Sequence, residues 1–252
     1  MKAMIVSLEN EVSKRANIQE QCERYKLDFE FIDAVDGKML SKEILKMTDA
    51  DFSESYLTPG EIGCALSHLY IYKKMISESL ESVLVLEDDA ILSDNCAPKI
   101  GLISDKLSKT KPEICLLNDP ESIYPLLKKK ITSDLNLYKL ARGCGGHAYI
   151  INKHAARILL NENLPIKFEA DRWMCFRDFS NISVWCLRNG IIDTNDHDKV
   201  HSSIEFERKA LRSKRERHLN NLNKKQKGYQ RKRLLHLFLR KLTHEIIKRP
   251  NQ

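Results

Sequence analysis

Short, unbroken apolar runs alternate along this chain with longer stretches in which apolar residues recur every three or four positions. Ala3 to Leu8 is short and apolar, and a polar turn separates it from a stretch of helical character over 12–26, the reading of a buried parallel strand followed by a crossover helix. Phe29 to Ile32 reads as a second strand, running into Asp33-Ala34-Val35-Asp36-Gly37-Lys38, where Asp and Gly mark a turn at a strand's carboxyl end. Thr58-Pro59-Gly60-Glu61 carries a helix start: Thr58 as N-cap, Pro59 in the first helical position and Glu61 to close a capping box. The helix it opens is expected to run to Ser79, burying Ile62, Ala65, Leu66, Leu69, Tyr72 and Ile76 on one face with Ser67 and His68 beside it.

Next, Ser82 to Leu86 forms an apolar β-type run that ends abruptly in Glu87-Asp88-Asp89. Further strands are predicted at Glu113 to Leu117, Tyr138 to Ala141, Ala148 to Ile151 and Val184 to Leu187, with a helix over Lys153 to Leu160 capped by Asn152. Alternating strand and helix units predict an α/β fold, a mixed, mainly parallel sheet flanked by helices on both faces.

The pattern breaks near Arg208. From there to Gln252 sixteen Lys and Arg face two acidic residues, whereas the preceding part is net acidic, so the overall +7 conceals an acidic body and a basic tail. This divides the chain into an expected catalytic domain over 1–207 and a basic amphipathic helical tail over 208–252. Seven scattered cysteines, an odd number without a C-x-x-C pair, do not make a disulfide framework and fit a reducing compartment. The apolar start is too short for a signal peptide and no apolar run is long enough to span a bilayer, so the expected location is cytoplasmic, with any membrane met from its surface.

Three consecutive carboxylates at the end of a buried strand repel one another unless a cation, donor hydrogen bonds or water offsets the charge. A divalent ion such as Mg²⁺ or Mn²⁺ takes such oxygen ligands; a solvated acidic turn is the alternative. Ser67, His68 and His147 are each open to two readings, a sugar contact or a polar group satisfied by its neighbours. Glycines in Arg142-Gly143-Cys144-Gly145-Gly146-His147 suit a backbone that bends sharply or approaches a ligand.

Gly60-Glu61-Ile62-Gly63-Cys64-Ala65-Leu66-Ser67-His68, followed by Val85-Leu86-Glu87-Asp88-Asp89-Ala90, resembles glycosyltransferase family 25, the lipooligosaccharide biosynthesis transferases. Ile5-Val6-Ser7-Leu8 with Arg15, the segment Phe29 to Gly37, and Gly145 to Ile151 with Ala155 are similar to the same family, whereas the basic tail is not. The resemblance implies a GT-A-like domain that moves a hexose, galactose favoured, from a UDP-sugar to a lipid-linked oligosaccharide acceptor with inversion. It implies Mn²⁺ or Mg²⁺ as cofactor, with Asp89 and Glu87 as metal ligands and Glu87, Asp88, Ser7, Arg15 and Asp36 around the donor. His68 and His147 are the candidate acceptor contacts, and Asp171, in Phe168-Glu169-Ala170-Asp171-Arg172-Trp173, which resembles the acidic motif that places the base in many GT-A-like enzymes, is the candidate for taking the acceptor's proton. Asp171 as a mere N-cap, with Glu169 or Asp119 as base, is the alternative there, and His197 and His201 are either further metal or diphosphate ligands or parts of a solvated loop.

The tail brings in an anionic membrane surface as a partner, on the inner membrane face, through Leu234, Leu235, Leu237, Phe238, Leu239, Leu242, Ile246 and Ile247 between basic residues. A helix packed on the body, or paired with a second copy in a homodimer, is the alternative. The rival function is nucleic-acid binding through the tail; the acidic body argues against it, and nucleic acid is not an expected partner.

Overall fold

The computed structural model describes residues 1–49, 55–195, 205–225, 234–239 and 245–246. Its first half is built of strand and helix units: β1 (Ala3–Ser7), α1 (Val12–Arg24), β2 (Phe29–Asp33), α2 (Lys42–Thr48), α3 (Pro59–Ser77) and β3 (Ser82–Glu87). A short β4 (Ala90–Leu92), α4 (Cys96–Lys106) and β5 (Glu113–Leu116) lead to a long hairpin of β6 (Ser122–Lys130) and β7 (Asn136–Arg142). After it come β8 (Ala148–Asn152), α5 (Lys153–Glu162), α6 (Trp173–Ser180), β9 (Ser183–Cys186), β10 (Ile192–Thr194), α7 (Glu205–Lys225) and a two-residue β11 (Glu245–Ile246).

Nine strands form one sheet in the order β11-β6-β7-β9-β5-β8-β3-β1-β2, and β4 pairs with β10 apart from it. The strands β2, β1 and β3 are mutually parallel, as are β5 and β9; β8 lies antiparallel between β3 and β5, and the hairpin extends the sheet by antiparallel pairing. Six of the nine strands therefore point one way, and the expected mixed, mainly parallel sheet with helices on both faces is present. The carboxyl ends of β1, β2, β3, β5 and β9 share one edge, where ligands of open α/β sheets bind.

Side-chain alternation along β3 shows how the sheet is covered. Val83 and Val85 face a core completed by Ile62, Leu69 and Tyr72 of α3, Ala155 and Leu159 of α5 and Trp173 of α6. Leu84 and Leu86 face the opposite core, with Ile18 of α1 and Ile100 and Ile103 of α4. Each such side chain withdrawn from water contributes about 1.5–3 kcal/mol. The capping box at Thr58 and Glu61 is formed, and Asn152 caps α5 by accepting from the Ala155 amide.

The boundary expected between 207 and 208 falls inside α7. Leu219 of this helix is part of the core beside α3 and α6, and Arg215 is 2% exposed. Its guanidinium group pairs with both oxygens of Glu61 and, at 3.0 Å, with Glu169. Over 205–225, then, the packed-helix alternative holds, because the basic residues of one face meet buried carboxylates on α3 and before α6. All seven cysteines are free thiols, as expected.

Candidate active site

Parallel pairing sets Ser7 beside Asp33, and Glu87 beside Val6, at the carboxyl ends of their strands. Antiparallel pairing of β8 with β3 then brings the Gly145-Gly146-His147 turn to the same edge, where the Glu87 amide donates to the His147 carbonyl at 2.9 Å. Around this edge lies a cleft of about 280 Å³ whose wall includes Ser7, Asp36, Cys64, Glu87, Asp88 and Asp89.

The three carboxylates are held differently. Glu87 Oε1 lies 3.3 Å from His68 Nε2, while His68 Nδ1 is 2.7 Å from the Tyr149 hydroxyl, which in turn meets the Tyr72 hydroxyl at 2.8 Å. Burial alone would raise the Glu87 carboxyl, but the hydrogen bond and charge of His68 outweigh it and hold it below its ordinary range. Asp88 accepts from the Ser7 hydroxyl at 2.6 Å, and burial leaves its carboxyl above the ordinary value. Burial, reinforced by the negative charge of Glu87, pushes Asp89 up to about 6. Thr194 donates to Asp89 Oδ2 at 2.7 Å, whereas Oδ1 is buried without a hydrogen-bond partner among the described residues. An orphaned, buried carboxylate oxygen suits a hard divalent cation, although the oxygens of Glu87, Asp88 and Asp89 do not all lie within 4.8 Å of one another. Cys64 Sγ, His68 and Glu87 also lie within 4.8 Å of one another, but both His68 nitrogens are already engaged.

Several expected roles change once the side chains are placed. Arg15 does not reach the cleft: it bonds the Ser7 and Leu8 carbonyls and Asp33, and stacks 5.0 Å from the Phe31 ring centroid. One residue earlier is about 100° round the helix, and Lys14 there, with Lys38 across the cleft, lines the wall instead. Neither lysine stands out in the sequence; the helical phase of α1 relative to β1 was the available signal. His68 is 1% exposed and lines neither cavity, so the acceptor contact expected of it is replaced by support of Glu87 from behind. Ser67, also buried, accepts from the Val35 amide and ties the β2 turn to α3. The His147 ring packs against Gly145 and contributes its charge to Glu87, outside both cavities. Asp36 lines the cleft but also accepts from the Lys38 amide. His197 and His201 lie outside the described residues.

Asp171 sits across the turn. It precedes α6, accepts from the Gly145 amide at 3.0 Å, and lines a second cavity of about 160 Å³. Gly145 has φ +103°, a conformation that favours glycine, and a Cβ on Gly146 would lie 2.6 Å from Glu87 Oε1 and 3.7 Å from Asp171 Cβ. The two glycines thus let Glu87 and Asp171 both come close to one thin segment of backbone. Of the alternatives, Glu169 is buried in ion pairs with Arg172 and Arg215, and Asp119 accepts from the Gly190 amide at 2.6 Å. Both are engaged in holding structure.

A family model described as "Glycosyltransferase family 25 (LPS biosynthesis protein)" matches residues 1–174. The chain is 25% identical to the Haemophilus influenzae lipooligosaccharide biosynthesis protein lic2B over 85% of its own length and 86% of that protein. It is 40% identical to a glycosyltransferase 25 family member of Aedes aegypti over 34% of this chain and 15% of that one, and 24% identical to human procollagen galactosyltransferase 2 over 63% and 27%. The chain spans 62% of another Haemophilus influenzae relative, at 28% identity over 69% of this chain, and less than a third of the mosquito and human relatives. The matched residues contain the strand-end carboxylates, the capped α3, the Gly145-Gly146 turn and Asp171, and on that ground the chain belongs to glycosyltransferase family 25.

Proposed function

We propose that this chain transfers a hexosyl group, galactose favoured, from a UDP-sugar to a hydroxyl of a lipooligosaccharide or lipopolysaccharide core acceptor, with inversion at the anomeric carbon. The observation that carries the reading is the buried Oδ1 of Asp89, without a hydrogen-bond partner among the described residues and next to Glu87 and Asp88 at a cleft lined by Lys14 and Lys38. The names of lic2B and of the human galactosyltransferase support the acceptor class and the sugar respectively.

Asp89 and Glu87 would hold a Mn²⁺ or Mg²⁺ ion, which when bound supplies positive charge to the diphosphate leaving group. Asp88, oriented by Ser7, and Asp36 are the groups for the donor's ribose or base hydroxyls and N–H donors, since carboxylates accept only. Lys14 and Lys38 offer ammonium groups to the phosphates. In the transfer, the acceptor oxygen forms a bond to the anomeric carbon as that carbon's bond to the diphosphate oxygen breaks. The hydroxyl proton passes to Asp171, and the nucleoside diphosphate leaves with the bonding electrons. The Gly145 amide orients the Asp171 carboxylate through one oxygen, leaving the other for the proton.

The test is turnover and UDP binding of three proteins: the parent, Asp89→Asn and Asp171→Asn. UDP-hexose turnover should require a divalent cation and fall at least a hundredfold in Asp89→Asn. In Asp171→Asn kcat should fall by 10²–10⁴, the range for loss of an acid–base group, with UDP affinity kept. Full turnover in excess chelator would reject the cation, and unchanged kcat in Asp171→Asn would reject the base.

A further inference from the structure

The second cavity is bounded on one side by Asp171 and on the other by α7. Three of its cations are already matched: Arg172 by Glu169 at 2.9 Å and Glu216 at 3.3 Å, Arg208 by Glu61 at 2.9 Å, and Arg215 by Glu61 and Glu169. Two are not. Lys209 and Arg212 line the same cavity, are exposed, and have no ion-pair partner among the described residues. They lie three apart on α7, on one helical face, and Arg208 and Arg215 extend that face with fixed positive charge. Arg208 is turned into the body, where burial works against its charge and the Asp171 and Glu61 carboxylates stabilise it. The opening therefore offers a planar guanidinium and an ammonium to an incoming anion, over a floor whose own charges are internally paired.

We propose that Lys209 and Arg212 form an oxyanion subsite that binds a phosphate or carboxylate carried by the acceptor glycan, and so brings a neighbouring sugar hydroxyl to Asp171. The inference rests on the assignment of Asp171 as base. Two features favour the acceptor over the donor as the source of the anion. The cavity shares no lining residue with the donor cleft, and the donor cleft has its own cations in Lys14 and Lys38. Arg212 suits the task because its fork matches the paired oxygens of phosphate and carboxylate.

The direct probe is inorganic phosphate, titrated by calorimetry into the full chain and into Lys209→Ala/Arg212→Ala, with UDP titrated in parallel. Both side chains are exposed, so the variant should keep the parent's melting temperature. Phosphate affinity should fall at least tenfold in the double variant, while UDP affinity stays within twofold. A second variant, Lys209→Arg/Arg212→Lys, preserves both charges and should retain phosphate binding within threefold. Equal phosphate affinity in parent and double variant would overturn the subsite. A parallel loss of UDP affinity would overturn the acceptor assignment, by giving these cations to the donor diphosphate. The phosphate titration needs no turnover, so failure of the proposed transfer and failure of the subsite read out separately.

Discussion

Glu87 owes its orientation to residues far from it in sequence. His68 holds one oxygen from within α3, Tyr149 and Tyr72 complete the chain of hydrogen bonds behind it, and Gly146 leaves room in front. A methyl group at position 146 would stand 2.6 Å from Oε1, closer than real contacts allow, and either the carboxylate or the turn must shift. Gly146→Ala should accordingly weaken divalent-cation-dependent UDP binding at least tenfold while leaving the thermal midpoint within a few degrees. Calorimetric titration of UDP with Mn²⁺ checks this; unaltered binding would mean that Glu87 takes no part in the donor site. The capping box at Thr58 and the carboxylate triplet were both legible from local sequence, since a cap and a charged strand end involve near neighbours. His68 was not, because a helix-edge histidine looks alike whether it faces an acceptor or a buried tyrosine, and that Lys14 rather than Arg15 lines the cleft was hidden for want of the helix's rotation.

At the scale of the element, α7 is the piece whose character the sequence disguised. Its composition resembles a solvated or membrane-bound tail, yet Arg215 is buried against Glu61 and Glu169, and Leu219 joins the core. Removing Arg215 leaves Glu61 with Arg208 alone and Glu169 with Arg172 alone, so Arg215→Ala should cost about 3 kcal/mol, the lower end for breaking a buried pair, measured by denaturant unfolding. A loss under 1 kcal/mol would mean that the pairing is solvated. The same cluster sets an acid limit. Burial works against the charged form of Glu169, but Arg172 and Arg215 outweigh it and hold the carboxyl below its usual range. With a folded pKa below the unfolded one, the stabilisation is fully present above about pH 4.3, the unfolded carboxylate value, and is lost as pH falls through the folded value. Melting curves taken from pH 7 to pH 3 should show the midpoint falling at the acid end, and Arg215→Ala should flatten that fall.

Over the whole molecule, one sheet edge gathers exposed apolar side chains. Leu126 and Leu127 of β6 are exposed, as are Ile246 of β11 and Leu234, Leu235, Leu237 and Phe238 of the helical turn at 234–239. That turn is held to the body by His236, which meets the Tyr124 hydroxyl at 3.2 Å and Asp178 at 3.1 Å. Leu242 and Ile247 lie outside the described residues, and among the described residues no helix is long and apolar enough to cross a membrane. The occupant expected for this edge is an anionic bilayer, because the surrounding tail is strongly basic and each Lys or Arg near such a surface adds about 1 kcal/mol before screening. The full chain should co-sediment with vesicles rich in anionic lipid and be released by salt, and Leu237→Asp/Phe238→Asp should reduce the bound fraction at least fivefold. Equal sedimentation of parent and variant would reject this face. A chain cut at 207 is a poor control, since it would strip Arg215 and Leu219 from the core; a cut after 225 keeps both.

What the sequence determined by itself was the succession of buried strands and amphipathic helices, the capped start of α3, and carboxylates at the end of β3, because periodicity, caps and charge runs act through residues a few positions apart. Family membership came from the same stretches, where motif order and spacing are local too. Tertiary structure alone decided which side chains face the cleft and which stand behind it. It put β8 antiparallel between β3 and β5, set Gly146 between Glu87 and Asp171, and turned Arg215 inward to carboxylates some 150 positions earlier and 46 earlier. Pairings over such separations leave no periodic trace along the chain, since burial and charge compensation are properties of space, not of sequence neighbourhood.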